Sequence, residues 1–487
     1  MSLQETVEAI NKKSISIEIF GLGYVGFPLT VRLASAGFQV TGIDVNQERI
    51  QRLENNKLMD SEIHLEKEYI DCRQKNNIKL ESKPSNSTIP KVGIICVPTP
   101  IPTKNISSDI FVKSAVESFL NCSKPGDVII LESSIEVGTT EIISNIIKNR
   151  GFEVGKNFGV CFCPERIDPS NKEWGIENIP RVIYCSDNSS FDIAKGIYLH
   201  VNGGNLLKVN SPKIAEIVKS FENAFRLVNI TLVNELAILC DKLDVNVKEI
   251  IDAAATKPFG FLPHYPGAGA GGHCIPKDPR FLLESAKKLG IKFDTIEHAL
   301  KINEQMPKYI TNSIEEKLQN QGLKKNVLVC GLSYKANVED MRDSPSFKII
   351  RELKSKDIEV FGYDPFLNEV LDQFSGKSGD LGANISPQSQ NAIVDMIADV
   401  GQGRLNYFML GTVDSSVPRI DPDTGVFKAD VLVNIQLFKI DDFFGAEVVA
   451  AVGPEIKTAF GETDVLADKA ALKKAFAEAT NSLILKL

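Results

Sequence analysis

The 487-residue chain is 43% hydrophobic and 24% charged, enough apolar material for several cores and incompatible with a globally disordered polymer. Its net charge of -8 disfavours nucleic acid or an anionic membrane as a partner, so an anionic ligand would need locally gathered cations. No run of eighteen apolar residues occurs and the start, MSLQETVEAINKKS, lacks an apolar leader core, which predicts a cytoplasmic protein without a membrane partner.

Ser14 to Phe20 reads as a strand, followed at once by GLGYVG (Gly21 to Gly26) and a helical pattern from Phe27 to Ala36. The next strand, Phe38 to Ile43, ends at Asp44, where a carboxylate can hydrogen-bond a ribose 2'-hydroxyl. Gly21 permits the turn, Gly23 lets backbone approach a pyrophosphate, Gly26 lets helix pack on strand, and the helix N-terminus supplies amides. The combination predicts a dinucleotide site, and the acidic Asp44 predicts NAD rather than NADP.

Strand signals recur at Val92 to Val97, Val128 to Leu131 and Gly159 to Cys163, separated by helical stretches, which predicts a parallel sheet with helices on both faces. The loops leaving these strands bring Thr99, Ser133, Ser134 and Glu165 toward one end of the sheet; singly, each also fits an ordinary cap or turn. Nine cysteines at irregular spacings predict reduced thiols. Cys161 and Cys163 read as two buried strand thiols rather than metal ligands, and no metal is expected.

From Ser211-Pro212 a helical pattern runs unbroken to about Asp241, with an apolar stripe including Ile214, Phe221, Phe225, Leu232 and Leu239. Such a stripe suits a core or a subunit interface. Lys219 and Asn223 stand four apart on one face; a lysine covering the core with its stem is the plainer alternative to catalysis. The loop YPGAGAGGHCIPKDP (Tyr265 to Pro279) then gathers four glycines, three prolines, a thiol, an ammonium and a carboxylate. Cys274 is either a nucleophile stabilised by a nearby cation or a buried structural cysteine. A second β-α-β unit follows: a strand at Val327 to Cys330, the loop GLSYKANVEDMRDSP with Lys335 and Arg342, a helix from Phe347 to Lys354, and a strand from Ile358 to Tyr363 ending at Asp364. Beyond about Ser375 cysteine disappears and acidic residues outnumber basic ones. That ending predicts strands near Leu405 to Leu410 and Val431 to Phe438 and a helix near Lys469 to Ala479. SGKSGDLG reads as a linker ahead of a separate unit.

In order along the chain, GLGYVG, VPTP, PERIDP, KSFENAF, GGHCIPKDP and SYKANVEDMRDSP resemble the UDP-glucose/GDP-mannose dehydrogenase family from about Ile15 to Pro365. DAAATKPFGF and PERIDPSN look most like the branch that oxidises UDP-N-acetylglucosamine, with UDP-N-acetylmannosamine dehydrogenases as the competitor. The resemblance implies an α/β chain: a Rossmann-type NAD domain (1–208), a central long-helix domain with the cysteine loop (209–320), a second Rossmann-like UDP-binding domain (321–374) and an unassigned α+β ending (375–487). It also implies a homodimer in nucleotide-sugar metabolism and polysaccharide biosynthesis. The implied reaction is a four-electron oxidation of the sugar C6 alcohol to a carboxylate, with two NAD reduced and the carbon held by Cys274 as thiohemiacetal and then thioester.

By the same matching Lys219 and Asn223 stabilise developing oxyanions, Asp278 is the general-base partner and Glu165 serves thioester hydrolysis. Gly21, Gly23, Tyr24, Val25, Gly26, Asp44, Arg49, Thr99, Ser134, Lys277 and Arg342 would hold NAD. Glu165, Arg166, Lys219, Asn223, Lys335 and the Phe261 to Gly267 loop, with Tyr265, would face the UDP-sugar. His273, beside the nucleophile, is a spectator. The family's remaining strands after GYDPF are not found by motif, so a catalytically impaired NAD-binding member is the alternative to an active enzyme.

Overall fold

The computed structural model describes residues 2–101, 107–166, 173–272, 274–320, 326–335, 340–364, 407–415, 419–420, 427–439 and 448–461. It divides into two units, one comprising 1–225 and 277–294, the other 226–276 and 295–487.

The first unit is built on an eight-stranded sheet: β1 (Ser16–Phe20), β2 (Gln39–Ile43), β3 (Ile78–Glu81), β4 (Lys91–Ile95), β5 (Val128–Leu131), β6 (Gly159–Phe162), β7 (Arg181–Cys185) and β8 (Leu206–Lys208). The order is β3-β2-β1-β4-β5-β6-β7-β8. All neighbours are parallel except β6 and β7. Continuous burial along β4, β5 and β6 matches a sheet covered on both faces. The polar N-terminus forms a helix, Leu3–Asn11, closed by a capping box between Ser2 and Glu5.

Because β7 runs back along β6, Cys161 stands directly opposite Cys185, and the two form a disulfide. The expected set of reduced thiols is corrected here: which cysteines face one another depends on strand register, which spacing along the chain does not encode. Cys163 remains a thiol, pushed by burial up to about 12.

The long helix, Pro212–Leu243, gives its first half to this unit and its second half to the other. Its length and mean hydropathy of 1.2 would suffice to cross a membrane. Its first half is instead fastened by polar contacts: the buried Glu216 accepts hydrogen bonds from Gly138 N (2.6 Å), Thr140 N (2.9 Å) and Thr140 Oγ1 (2.7 Å) at the start of the helix Thr139–Asn149. Ile214, Phe221, Phe225, Leu232 and Leu239 on the same helix are exposed.

In the second unit β9 (Asn326–Cys330) and β10 (Glu359–Tyr363) pair in parallel. The same sheet continues through β11 (Tyr407–Ser415), β12 (Arg419–Ile420), β13 (Phe427–Lys439) and β14 (Val448–Gly461). β11 lies antiparallel on β9, with Met409 opposite Leu328 and Leu410 opposite Val327. The expectation of a separate ending is therefore corrected: its strands complete the sheet that β9 begins, because an unpaired β9 edge presents amides and carbonyls that the later strand satisfies. The expected helix at 469–479 and the linker lie outside the described residues.

This pairing predicts that a chain ending at Phe374 loses stability and aggregates, because β9 is returned to an open edge. Thermal unfolding and light scattering of full-length and shortened protein check it; unchanged melting and a soluble short form would contradict the pairing.

Candidate functional site

In the first unit β1 runs into Gly21, whose φ of +90° is one an L side chain rarely adopts. A Cβ at Gly21 would also lie 2.8 Å from Cys96 O, and one at Gly26 would collide with Gly21 O. Gly23 has nothing within 4 Å of its Cβ position. Two glycines thus close the turn and one leaves it open toward a ligand. Asp44 locks the turn, its carboxylate accepting Leu22 N at 2.8 Å and Asn46 N at 2.9 Å. Arg49 donates from Nε to Leu22 O (3.0 Å) and from Nη2 to Glu62 (2.5 Å), and stacks on Phe27 at 5.1 Å. Its Nη1 is buried without a hydrogen-bond partner among the described residues. An open glycine, a ribose-facing type of carboxylate and an orphaned guanidinium nitrogen fit a dinucleotide.

A second polar construction in the same unit ties three distant motifs together. Lys277 Nζ donates to Thr99 Oγ1 (2.7 Å) and Thr99 O (3.0 Å) and lies 3.6 Å from Asp278 Oδ1. Asn223 Nδ2 donates to Asp278 Oδ2 at 2.8 Å. All four side chains are buried. The helix Asp278–Lys288 begins here, with Pro279 in its first turn and the acidic Asp278 at its positive end. Lys219, one helical turn before Asn223, is half-buried, and Asp278 Oδ1 has no hydrogen-bond partner among the described residues. Lys277 is therefore turned onto protein groups. Ser134 is half-buried, while its neighbour Ser133 donates to Val97 O at 2.7 Å and serves the backbone.

Glu165 is buried at the end of β6, taking Arg166 N at 2.6 Å on one oxygen and Arg181 Nη2 at 2.5 Å on the other. Arg166 reaches from Nε (3.1 Å) and Nη2 (2.5 Å) to Glu222 on the long helix, one residue before Asn223. Sequence reasoning missed Arg181, Glu132, Tyr198, Glu216 and Glu222. The one available signal was a charged residue opening the apolar strand RVIYC.

In the second unit the cysteine loop is held residue by residue. Asn234 Oδ1 accepts Gly267 N (2.8 Å), and Asn303 both accepts Ala270 N (2.6 Å) and donates to Ala270 O (3.0 Å). Gly272 N donates to Arg342 O at 3.1 Å, and a Cβ on Gly272 would stand 2.6 Å from the Tyr334 ring. The glycines ahead of the thiol thus seat the loop against Tyr334, and Cys274 itself is exposed. His273 lies outside the described residues. Tyr265 donates to Asp252 at 2.8 Å, and Phe261 and Tyr265 are exposed. Lys335 is half-buried. Arg342 grips Asp340 with Nε (3.0 and 3.1 Å) and Nη2 (2.6 Å). Among the described residues no cluster of His, Cys, Asp and Glu could hold a metal.

Residues 15–202, 213–305 and 328–396 match in turn the NAD binding, central and UDP binding domains of the UDP-glucose/GDP-mannose dehydrogenase family. The last match runs past Pro365, where the motifs end, and so carries the family into the altered ending. The chain is 36% identical over 363 residues to UDP-N-acetyl-D-mannosamine dehydrogenase of Methanococcus aeolicus, covering 74% of this chain and 80% of that one. It is 31% identical over 362 residues to UDP-N-acetyl-D-glucosamine 6-dehydrogenase of Salmonella typhi, covering 73% and 83%. The structure of UDP-D-ManNAc dehydrogenase from Pyrococcus horikoshii aligns with a TM-score of 0.66 at 32% identity, covering 72% of this chain and 84% of that one. With glycine turn, buried lysine–carboxylate chain and exposed loop thiol in the matched segments, the chain belongs to the UDP-glucose/GDP-mannose dehydrogenase family and is an NAD-dependent oxidoreductase.

Proposed function

We propose that the chain oxidises C6 of a UDP-N-acetylhexosamine to the uronic acid, through the NAD-binding, central and UDP-binding regions inferred from sequence and in the cytoplasm. The observation that carries this reading is the buried chain Thr99–Lys277–Asp278–Asn223, which joins the VPTP, IPKDP and KSFENAF motifs through hydrogen bonds and an ion pair. A buried carboxylate with one oxygen committed to Asn223 and the other without a hydrogen bond is suited to orient a water or hydroxyl at the reacting carbon. Relatives at 36% identity named for UDP-N-acetyl-D-mannosamine favour that epimer over the N-acetylglucosamine suggested by the motifs.

The Gly21 to Gly26 turn, Asp44 and Arg49 would hold NAD, which supplies the hydride acceptor. Lys219 and Asn223 stabilise negative charge developing on the substrate oxygen, and Asp278 keeps Asn223 oriented. The Cys274 thiolate would add to the C6 aldehyde, forming a C–S bond and a thiohemiacetal; bound NAD would accept the hydride that this carbon loses in becoming the thioester, and water would then attack, its proton passing to Glu165 as the thiolate departs. Lys335 and Arg342 would meet the phosphates. The exposed apolar stripe of the long helix supports a homodimer, since burying five large apolar side chains offsets an otherwise costly exposure.

Cys274→Ser should reduce uronic acid formation by roughly 10³-fold or more and leave at most one NADH per sugar, where the unaltered enzyme yields two. Full oxidation of UDP-ManNAc or UDP-GlcNAc by that variant would remove the covalent step, and no NADH from any UDP-sugar with the unaltered protein would leave only an impaired, NAD-binding family member. The unaltered protein should prefer NAD over NADP by at least about tenfold in kcat/KM, because the Asp44 carboxylate repels a 2'-phosphate; equal efficiency would refute it. Light scattering at micromolar concentration should give twice the chain mass, reduced to the single chain in Leu232→Glu/Leu239→Glu. A monomer before substitution would exclude the dimer.

A further inference from the structure

Arg181 opens β7 with its side chain fully buried among charged groups. Nη1 lies 3.1 Å from Glu132 Oε2 and Nη2 lies 2.5 Å from Glu165 Oε2. The guanidinium carbon stands 4.9 Å over the Tyr198 ring, and the Tyr198 hydroxyl donates to Glu132 Oε1 at 2.5 Å. Glu132 follows β5, Glu165 follows β6 and Tyr198 lies on the helix Asn188–Asn202, so four elements converge on one cation.

The arrangement is poor value as stability alone. Two carboxylates and one guanidinium are taken out of water, and among the described residues Arg181 Nε and Nη1 and Glu132 Oε2 lack well-directed hydrogen bonds. Apolar side chains of similar volume often replace such buried clusters without loss. What the cluster does supply is direction: one Glu165 oxygen is held by Arg181 and the other by Arg166 N, so the plane of the carboxylate is fixed.

We propose that Arg181, itself oriented by Glu132 and Tyr198, is the positioning residue that holds the Glu165 carboxylate in one orientation for the water that cleaves the thioester. This rests on the dehydrogenase reading above. In that step the water oxygen bonds to the acyl carbon, its proton goes to Glu165, the C–S bond breaks and the Cys274 thiolate leaves with the electron pair. Among the described residues, the groups around Glu165 include Arg181 and Glu132, the thiols Cys96 and Cys163, Tyr198, and the Arg166–Glu222 pair. Burial pushes both thiols and Tyr198 upward, so they stay neutral, and burial also raises Glu132. Arg181 is a buried positive charge in direct contact with the Glu165 carboxylate.

Arg181→Gln should slow thioester hydrolysis about 10²-fold while the first oxidation slows far less, so acylated Cys274 accumulates and is read by intact mass after a single turnover. Removing a buried cation from the site should also move the acidic limb of the kcat profile toward higher pH. Arg181→Lys should restore part of that shift, and Tyr198→Phe, which keeps the cation and loses only the hydroxyl, should move it slightly in the same direction. If Arg181→Gln does not fold, the Lys and Phe variants carry the same readouts. Lost activity with an unmoved limb and no acylated cysteine would reduce Arg181 to a structural role. An unaltered enzyme that yields no uronic acid would instead overturn the underlying dehydrogenase reading.

Discussion

A carboxylate that closes a glycine turn sets the positions of both β-α-β units. In the first, Asp44 follows β2 and accepts the amide of Leu22; in the second, Asp364 follows β10 and accepts Leu332 N and Ser333 N, each at 2.8 Å. The registers correspond, with Phe20 opposite Ile43 and Cys330 opposite Tyr363, and the turn glycines have φ of +90° and +91°. A Cβ on Gly42 would meet Leu22, and one on Gly362 would meet Leu332. The same physical solution is thus used twice: strand, left-handed glycine, leucine under a glycine of the next strand, then a carboxylate. The two units differ after the turn, where the first continues as GYVG with an open glycine and the second as SYKA with a lysine. The same closure serves different ligands because the residues that follow it differ.

The parts of the fold written in local pattern were legible. β5 runs from Val128 to Leu131 in both the sequence reading and the structure, and the long helix differs from its expected bounds only at its ends. The four-residue spacing of Lys219 and Asn223 was readable for the same reason. Contacts between segments far apart were not. Nothing in IPKDP specifies that Lys277 turns onto Thr99, and nothing near Cys161 specifies Cys185 as its partner. Arg181 could be seen as an odd charge before an apolar strand, but its two carboxylates come from other strands, and only the sheet order brings them together.

The cysteines separate by environment. Cys163 and Cys330 are each pushed by burial up to about 12 and are inert thiols, whereas Cys274 sits exposed on a loop made rigid by Asn234, Asn303 and Tyr334. An accessible sulfur is what a nucleophile needs, and burial denies it to Cys72, Cys163 and Cys240.

The antiparallel seat of β11 on β9 also has a consequence for how the protein is made. Leu328 pairs with Met409, a residue about eighty positions later, so closing the second sheet depends on a pairing distant in sequence, as the β1–β4 pairing of Ser16 with Lys91 does in the first. At the usual pace of synthesis, β9 leaves the ribosome roughly 4 to 16 s before its partner strand β11 exists. During that interval the nascent chain carries a finished first sheet and an unsatisfied strand edge, the form in which holding chaperones would engage it.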